Sequence, residues 1–505
     1  MSKKTIFVLI IATLIIASAI LIIYSSSPLD DKKLVGENEF KIHCGSCHLL
    51  PNPANIPKLI WSNKVLPEMA ARMGYIYGDF NAYKYSEEEN RYIKLSKIYP
   101  EKALIDSLTW QKIRDYVLNL APEKVPNTPR RQGRSSALTQ FNASLNTLNH
   151  DKPSRAIINI KYNADAKRLL IGDIYGQLHE WGKPNPITKT FDSPVISSVI
   201  DENAFYLTEI GNMNPSEIPL GTIYSMNSDS IVPLSEVLHR PVYTEVNDLN
   251  EDGKKEIIIC EFGHHTGALS MLVKKDSGYE KRVLLELPGS IKVDVVDMNG
   301  DGKKDIVAVF AQGREGIYIF YQKENLDFDV EQVIAMGPEY GSSWFSLLDY
   351  NNDGFMDIVV ANGDNADYSN FLKPYHGVRL FINDGTNKFE EKWFYPINGA
   401  TRVLAEDFDN DGDFDFAVLS FFPDFAKSPE EGFVYLENKD SKNYEFSSFT
   451  TSQANRGNWL IMDKGDFDKD GDTDIMLGNF NLLAPNTFTD MNTYDLLFLE
   501  NKLVK

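Results

Sequence analysis

The 505-residue chain has few cysteines and few basic residues, and each shortage excludes a class of protein. Three cysteines are too few for a disulfide-stapled scaffold, and they cannot supply a zinc site of four thiolates. Lysine and arginine total 51 against 72 acidic residues, so the formal net charge is −21. Because nucleic-acid binding needs clustered positive charge, this balance argues against a nucleic-acid partner. The sequence also has no Gly-x-Gly-x-x-Gly fingerprint for a dinucleotide.

Long apolar runs are confined to residues 6–24, a stretch long enough to cross a bilayer. Two lysines precede it, and the positive-inside rule then puts the N-terminus in the cytoplasm. A cleaved signal peptide, cut at the small residues 17–19, would leave the apolar residues 20–24 exposed. We therefore predict an uncleaved signal anchor over residues 1–25, a transmembrane helix in the inner (cytoplasmic) membrane. The rest of the chain is then extracytoplasmic and faces the periplasm or the exterior.

The most distinctive short motif is Cys-Gly-Ser-Cys-His at residues 44–48. Two thiols on one helical turn can reach the two vinyl groups of a porphyrin, and the next histidine can bind the iron. The alternative, a redox CxxC of the thioredoxin kind, expects a βαβ context in a cytosolic protein, and neither is present. The motif predicts one covalent haem c, held by Cys44, Cys47 and His48.

The second axial ligand of such a haem is predicted from two methionines. Met69 and Met73 lie four residues apart, so both share one face of a helix. A thioether is a common ligand in this position, whereas a methionine can also simply fill space in a core. We favour Met69, which follows Trp61 by eight residues, and keep Met73 as the alternative.

The surroundings of the motif predict a small helical domain. Residues 34–43 read as a short helix, and residues 110–120 have apolar residues at helical spacing before Pro122. The segment 33–122 resembles the single-haem c-type cytochrome domain, in which the first and last helices pack together beside the haem. A linker rich in proline and polar residues follows over residues 123–136.

Five later segments share the pattern Asp-x-[Asp/Asn]-x-Asp-Gly-x-x-[Asp/Glu]. Oxygens at positions 1, 3, 5 and 9, with a carbonyl at position 7, can surround a hard cation, and glycine at 6 allows the sharp turn. An EF-hand is excluded because position 12 is apolar each time and a β run follows each loop. We predict about five Ca²⁺ ions, bound by Asp248, Asn250, Asp252 and Glu256; Asp297, Asn299, Asp301 and Asp305; Asp349, Asn351, Asp353 and Asp357; Asp407, Asp409, Asp411 and Asp415; and Asp466, Asp468, Asp470 and Asp474.

The spacing of these loops predicts a propeller. Their first aspartates lie 49, 52, 58 and 59 residues apart, which fits blades of four strands. Residues 162–172 and 198–207 keep the hairpin but lack the ligand set, so we expect two blades without calcium. The last blade lacks an outer strand, and we predict that residues 137–148 supply it and remove the open edge.

These repeats resemble the FG-GAP, or VCBS-type, repeats of integrin-α-like propellers over residues 150–505. The whole chain is similar to bacterial fusions of a c-type cytochrome with such a propeller. The resemblance implies a multidomain protein: a transmembrane anchor, a small all-α cytochrome c domain and an all-β seven-bladed propeller with calcium-binding hairpins over residues 137–505.

The face opposite the calcium loops carries a possible ligand site. Loops that follow the second strands hold His264, His265, Arg314 and His376, although ordinary polar loops would look the same. The leading interpretation is a membrane-anchored electron-transfer protein with a redox partner protein and a propeller that binds an unidentified partner or ligand. The first alternative is an oxidoreductase whose propeller face oxidises a small molecule or glycan and passes electrons to the haem. The second is an adhesion or interaction protein.

Overall fold

The computed structural model describes residues 35–126, 138–148, 156–183, 187, 191–201, 204–227, 230–366, 371–481 and 494–503. A helical unit over residues 35–126 is followed by seven antiparallel β-sheets. The predicted signal anchor and most of the predicted linker lie outside the described residues. Among the described helices, none combines the length and the apolarity that a membrane crossing requires.

The first and last helices of the helical unit pack against each other. The rings of Phe40 and Tyr116 are 5.3 Å apart, and Lys112 Nζ lies 2.8 Å from Glu39 Oε1. Gly36 precedes the first helix at φ 96°, where a Cβ would come within 2.1 Å of the Lys112 carbonyl oxygen, so only glycine permits this approach. The helices predicted near residues 34–43 and 110–120 are thus confirmed. The helices are α1 (Glu37–Cys44), α2 (Lys58–Ile60), α3 (Leu66–Arg72), α4 (Glu87–Ser96) and α5 (Ser107–Leu120), with a π-helical turn at Trp61–Val65 before α3.

The seven sheets are the blades of a propeller, each built from strands consecutive in sequence except the last. Blade 1 has β2 (Ile157–Asn163), β3 (Arg168–Asp173) and β4 (Leu178–Glu180); blade 2 has β5 (Val195–Ile200), β6 (Phe205–Glu209), β7 (Thr222–Met226) and β8 (Ile231–Pro233); blade 3 has β9 (Pro241–Asn247), β10 (Glu256–Glu261), β11 (Ala268–Lys275) and β12 (Gly278–Leu285); blade 4 has β13 (Ser290–Val296), β14 (Asp305–Phe310), β15 (Gly316–Gln322) and β16 (Phe328–Ala335). Blade 5 has β17 (Ser342–Leu348), β18 (Asp357–Asn362), β19 (Gly377–Asn383) and β20 (Phe389–Pro396); blade 6 has β21 (Ala400–Glu406), β22 (Asp415–Ser420), β23 (Phe433–Asp440) and β24 (Glu445–Phe449); blade 7 has β25 (Trp459–Gly465), β26 (Asp474–Asn479), β27 (Leu496–Asn501) and β1 (Phe141–Asn146).

The second strand of each calcium-loop blade is buried along its whole length. Such strands read in the sequence as unbroken apolar runs, for example residues 257–260, because neighbouring blades cover both of their faces. The first strands contact one another around the ring, and β25 contacts β2, so the ring is closed.

Strand β1 supplies the fourth strand of blade 7, as the sequence predicted. It pairs antiparallel with β27, with Phe141 opposite Asn501 and Asn146 opposite Leu496. Phe141 is buried, and its ring lies 5.4 Å from that of Tyr435 in blade 6. This strand therefore links the start of the propeller to its last blade and covers the outer edge of β27.

The axis of the ring is filled by side chains of the first strands. Trp344 of β17 lies under Arg402 of β21, with the guanidinium 3.8 Å from the ring centroid. Tyr243 of β9 meets the same ring edge-on at 5.8 Å. Lys292 of β13 is 7% exposed, and its ammonium donates to Asp294 Oδ2 and to the Phe345 carbonyl. Since these residues come from blades 3 to 6, their contacts cross the axis.

Candidate functional site

The five predicted calcium loops join the first and second strands of blades 3 to 7 and share one face of the ring, named here the loop face. In each loop the residues at positions 4 and 6 have positive φ. The glycine at position 6 has φ between 81° at Gly253 and 105° at Gly471. A Cβ there would meet no atom within 4 Å, so the backbone conformation, and not crowding, requires glycine.

The first aspartate of each loop points into the loop. Asp248 accepts hydrogen bonds from the backbone N–H groups of Asp252 and Gly253, at 3.1 and 2.9 Å. Asp349 and Asp407 make the same pair of bonds in blades 5 and 6. The aspartate at position 5 accepts from the N–H of position 7 in all five loops. Local hydrogen bonds therefore bring the acidic side chains together.

The loops of blades 6 and 7 gather three carboxylates each. Asp407, Asp409 and Asp411 offer oxygens within 4.8 Å of one another, as do Asp466, Asp468 and Asp470. The Oδ1 atoms of Asp409 and Asp466 are buried and have no hydrogen-bond partner. Buried oxygens of this kind suit a bound cation, and three carboxylates suit calcium. Blades 3 to 5 have asparagine at position 3, which offers an amide oxygen instead.

The residue at position 9 connects each loop to its blade. Asp305, Asp357 and Asp474 each accept two backbone hydrogen bonds. One comes from the N–H at position 2 of the loop, and the other comes from the N–H of the last residue of the blade's third strand. Glu256 accepts the N–H of Leu249 in the same way, at 3.1 Å. Burial raises the pKa of Asp357 to about 6 and that of Asp474 to about 7. A nearby cation would favour their charged forms, and each oxygen keeps a lone pair for such a contact.

Residues 44–55, named here the cysteine segment, begin at the last residue of α1. Cys44 is half-buried against an apolar cluster, and this burial raises the pKa of its thiol to about 12. Cys47 is exposed. The Nδ1 atom of His48 lies 2.8 Å from the Leu49 carbonyl oxygen. An Nδ1–H donor in that bond leaves the Nε2 lone pair available to a metal.

Met69 and Met73 pack against the same apolar cluster as Cys44. Met69 lies in α3, and Met73 is its C-terminal cap. Trp61 and Leu66 are buried in this cluster, and Leu50 is partly buried. The helical unit therefore brings one thiol and two thioethers to a single apolar region, and Cys47, which is exposed, and His48 follow Cys44 in the same segment. Together these side chains are a donor set that could hold a haem.

The face opposite the calcium loops, named here the docking face, contacts the helical unit. His264 Nε2 lies 3.4 Å from the Tyr85 hydroxyl, and His265 Nδ1 lies 3.4 Å from Arg72 Nη2. Arg314 Nε donates to the Cys47 carbonyl at 3.2 Å. Three of the four predicted ligand-face residues thus touch the helical unit of their own chain.

The predicted histidines of this face have pKa values below the ordinary value of a histidine side chain. Burial lowers the pKa of His264. Burial, with the charges of His264, Arg72 and Lys84, lowers the pKa of His265 to about 3. His376 does not join the other three: it is 2% exposed, its pKa is lowered by burial, and its Nε2 has no hydrogen-bond partner. The structure therefore separates His376 from the contact surface.

Three buried glutamates of the contact were missed by sequence reasoning. Glu89 of α4 accepts hydrogen bonds from Ser216 Oγ, at 2.6 Å, and from the Glu217 N–H. Glu217 in turn accepts from the His265 N–H and from Thr266 Oγ1. Glu339, before blade 5, accepts from the Asn52 N–H and from Asn55 Nδ2. None belongs to a repeated pattern, so the sequence carries no signal for them.

Comparison with known proteins supports the propeller. The model of the FG-GAP-like repeat matches residues 297–360, which contain the calcium loops of blades 4 and 5. The chain therefore contains an FG-GAP-like repeat within a seven-bladed β-propeller, a combination that fits a ligand-binding or interaction role. Similar solved structures include the crystal structure of the WD40 beta propeller domain of Doa1, which is 12% identical with a TM-score of 0.37 and covers 57% of this chain and 81% of that chain. A search among curated proteins finds no match.

Proposed function

We propose that the protein is an electron-transfer protein in which a c-type cytochrome unit is docked on a calcium-stabilised propeller. The observation that carries the proposal is the packing of Cys44, Met69 and Met73 against one apolar cluster, with Cys47 and His48 three and four residues further along the chain. Such a haem supplies one-electron chemistry. Cys44 and Cys47 provide the thiols for attachment, and the Leu49 carbonyl orients His48 for ligation.

The propeller would serve this function as a rigid platform. Its blade ring is closed by β1, and five loops with cation-binding geometry stabilise one face. The docking face then holds the cytochrome unit through buried carboxylates on both sides of the contact. Because His264, His265 and Arg314 serve this contact, we favour electron transfer over a substrate-oxidising site on the docking face.

The proposal includes location and partners. Covalent haem attachment takes place outside the cytoplasm, and the apolar segment 6–24 would anchor the chain to the cytoplasmic membrane with the haem outside. The electron donor and acceptor would be proteins that approach the exposed side of the helical unit.

Visible spectroscopy of the full chain tests this proposal. Protein expressed with haem attachment is expected to carry one covalent haem by mass and to show a low-spin spectrum. The weak far-red band of a methionine-ligated ferric haem should disappear in Met69→Ala and persist in Met73→Ala; the opposite pattern would assign Met73. Protein without covalent haem would refute the proposal. A high-spin protein that binds carbon monoxide would favour the oxidoreductase.

A further inference from the structure

The propeller contacts the cysteine segment at both of its ends. Arg314 Nε donates to the Cys47 carbonyl at 3.2 Å, at the start of the segment. At its end, Glu339 Oε1 accepts from the Asn52 N–H at 3.2 Å and from Asn55 Nδ2 at 2.9 Å. The hydroxyl of Tyr375 donates to the Asn55 carbonyl at 3.2 Å. The residues that follow the candidate haem motif are therefore fixed by blades 4 and 5.

Among these contacts, Glu339 alone brings a carboxylate. It is 8% exposed, and its Oε2 atom is buried without a hydrogen-bond partner. Two N–H groups donate to the other oxygen, Oε1. A buried charge acts over a longer range than an exposed one, because little water screens it.

A second buried glutamate lies close to Glu339. Glu315 is 1% exposed, and Oε1 accepts the Ser342 N–H at 2.5 Å. Burial, together with the charge of Glu339, raises the pKa of Glu315 to about 8. Near pH 7 Glu315 is therefore mainly protonated.

We propose that Glu339 is a positioning residue that lowers the reduction potential of a haem attached at Cys44 and Cys47. Its buried negative charge stabilises the oxidised centre, which is one unit more positive than the reduced centre, and its hydrogen bonds hold Asn52 four residues from His48. This inference rests on the proposed function. It gives the propeller a direct effect on redox chemistry through a residue of the loop between blades 4 and 5.

Redox titration of the full, haem-loaded chain tests the proposal by comparing two substitutions. Glu339→Gln removes the charge but keeps an oxygen that can accept from Asn52, so the midpoint potential should rise. Glu89→Gln is the matched control: Glu89 is also a buried interface glutamate, but its partners are Ser216 and Glu217 in blade 2. Its potential should stay near that of the wild type. Glu339→Asp retains the charge and should also stay close to the wild type.

The outcomes separate this inference from the proposed function. Covalent haem in all variants, with the same potential in the wild type and Glu339→Gln, would overturn the inference and leave the electron-transfer proposal standing. Equal upward shifts in Glu339→Gln and Glu89→Gln would also overturn it, because loosened docking would then explain the change. Wild-type protein without covalent haem, shown by mass, would overturn both. Thermal unfolding of each variant identifies any loss of fold.

Discussion

The two faces of the propeller are built in opposite ways. The loop face repeats one nine-residue pattern five times, with the same positive φ at positions 4 and 6 in every copy. The docking face uses a different contact in each blade: Ser216 in blade 2, His264 in blade 3, Arg314 in blade 4 and Tyr375 in blade 5. The predicted calcium loops can repeat because each is complete within one hairpin. The contacts of the docking face cannot repeat, because each blade meets a different part of a single helical unit.

Removal of calcium should lower the melting temperature more than any other change, and it should act only on the loop face. Chelation by EGTA is expected to lower the melting temperature strongly, because each loop then holds several like charges together. At calcium a hundredfold above Kd, each occupied loop contributes roughly 2.7 kcal/mol. Calorimetry with EGTA, then with excess calcium, measures the loss and its reversal. An unchanged melting temperature would contradict the calcium assignment.

Loss of a single calcium site should reduce the stability of the protein by about the contribution of one calcium ion. Asp409→Ala removes a ligand whose Oδ1 atom is buried without a hydrogen-bond partner, so we expect one calcium ion fewer and a loss of roughly 2.7 kcal/mol. Asp165→Ala is the control, since Asp165 is exposed in the corresponding turn of blade 1. Calcium counting by elemental analysis and calorimetry should separate the two variants. Equal calcium content in both would argue against blade 6 as a site.

The sequence predicted the repeated face in detail because its chemistry is local. Position 12 is apolar in each loop and excluded EF-hands, and the missing strand of blade 7 predicted the role of β1. Position 9 is glutamate in the first loop and aspartate in the other four. Glu256 nevertheless accepts the backbone N–H of position 2, as Asp305 does in the second loop. The inferences about the loops needed only a dozen neighbouring residues each, whereas the role of β1 was inferred from the strand count of the last blade.

The docking face could not be predicted from the sequence, because its partners are far apart along the chain. Glu89 belongs to a run of three glutamates at the start of α4, which reads as a solvated helix terminus. Only the tertiary fold shows that Glu87 and Glu88 are exposed while Glu89 is buried against blade 2. His264 and His265 were identified as candidates for a ligand site, and in the structure they contact Tyr85 and Arg72 of the helical unit.

Substitution of Glu89 should loosen the docking face without affecting the loop face. Glu89→Ala leaves the Ser216 hydroxyl and the Glu217 N–H buried without an acceptor, at a cost of about 1–3 kcal/mol. Hydrogen exchange should speed up around Ser216 and in α4, while the calcium loops keep their protection. Glu88→Ala, at an exposed neighbour, is the control. Equal exchange in the two variants would show that Glu89 does not hold the contact.

The last effect should come from the proton on Glu315, and it should appear only as a pH dependence. The unfolded chain loses this proton near 4.5, whereas the folded chain keeps it until about 8. Its contribution to stability is therefore complete below pH 4.5 and is lost as the pH rises through 8, by at most about 1.4 kcal/mol per pH unit. Glu315→Gln cannot titrate and should remove this slope.

Thermal unfolding between pH ~5 and ~8 measures that slope as a difference between the wild type and Glu315→Gln. The groups that face Glu315 are Glu339, Arg379, Tyr340 and Tyr375, and both proteins share them. Both proteins also share the buried carboxylates of the calcium loops, so titration of the loop face cancels in the comparison. The wild type should lose stability relative to the variant as the pH rises. Parallel profiles would mean that Glu315 is already ionised in the folded protein, and that the docking face then holds two charges beside the cysteine segment instead of one.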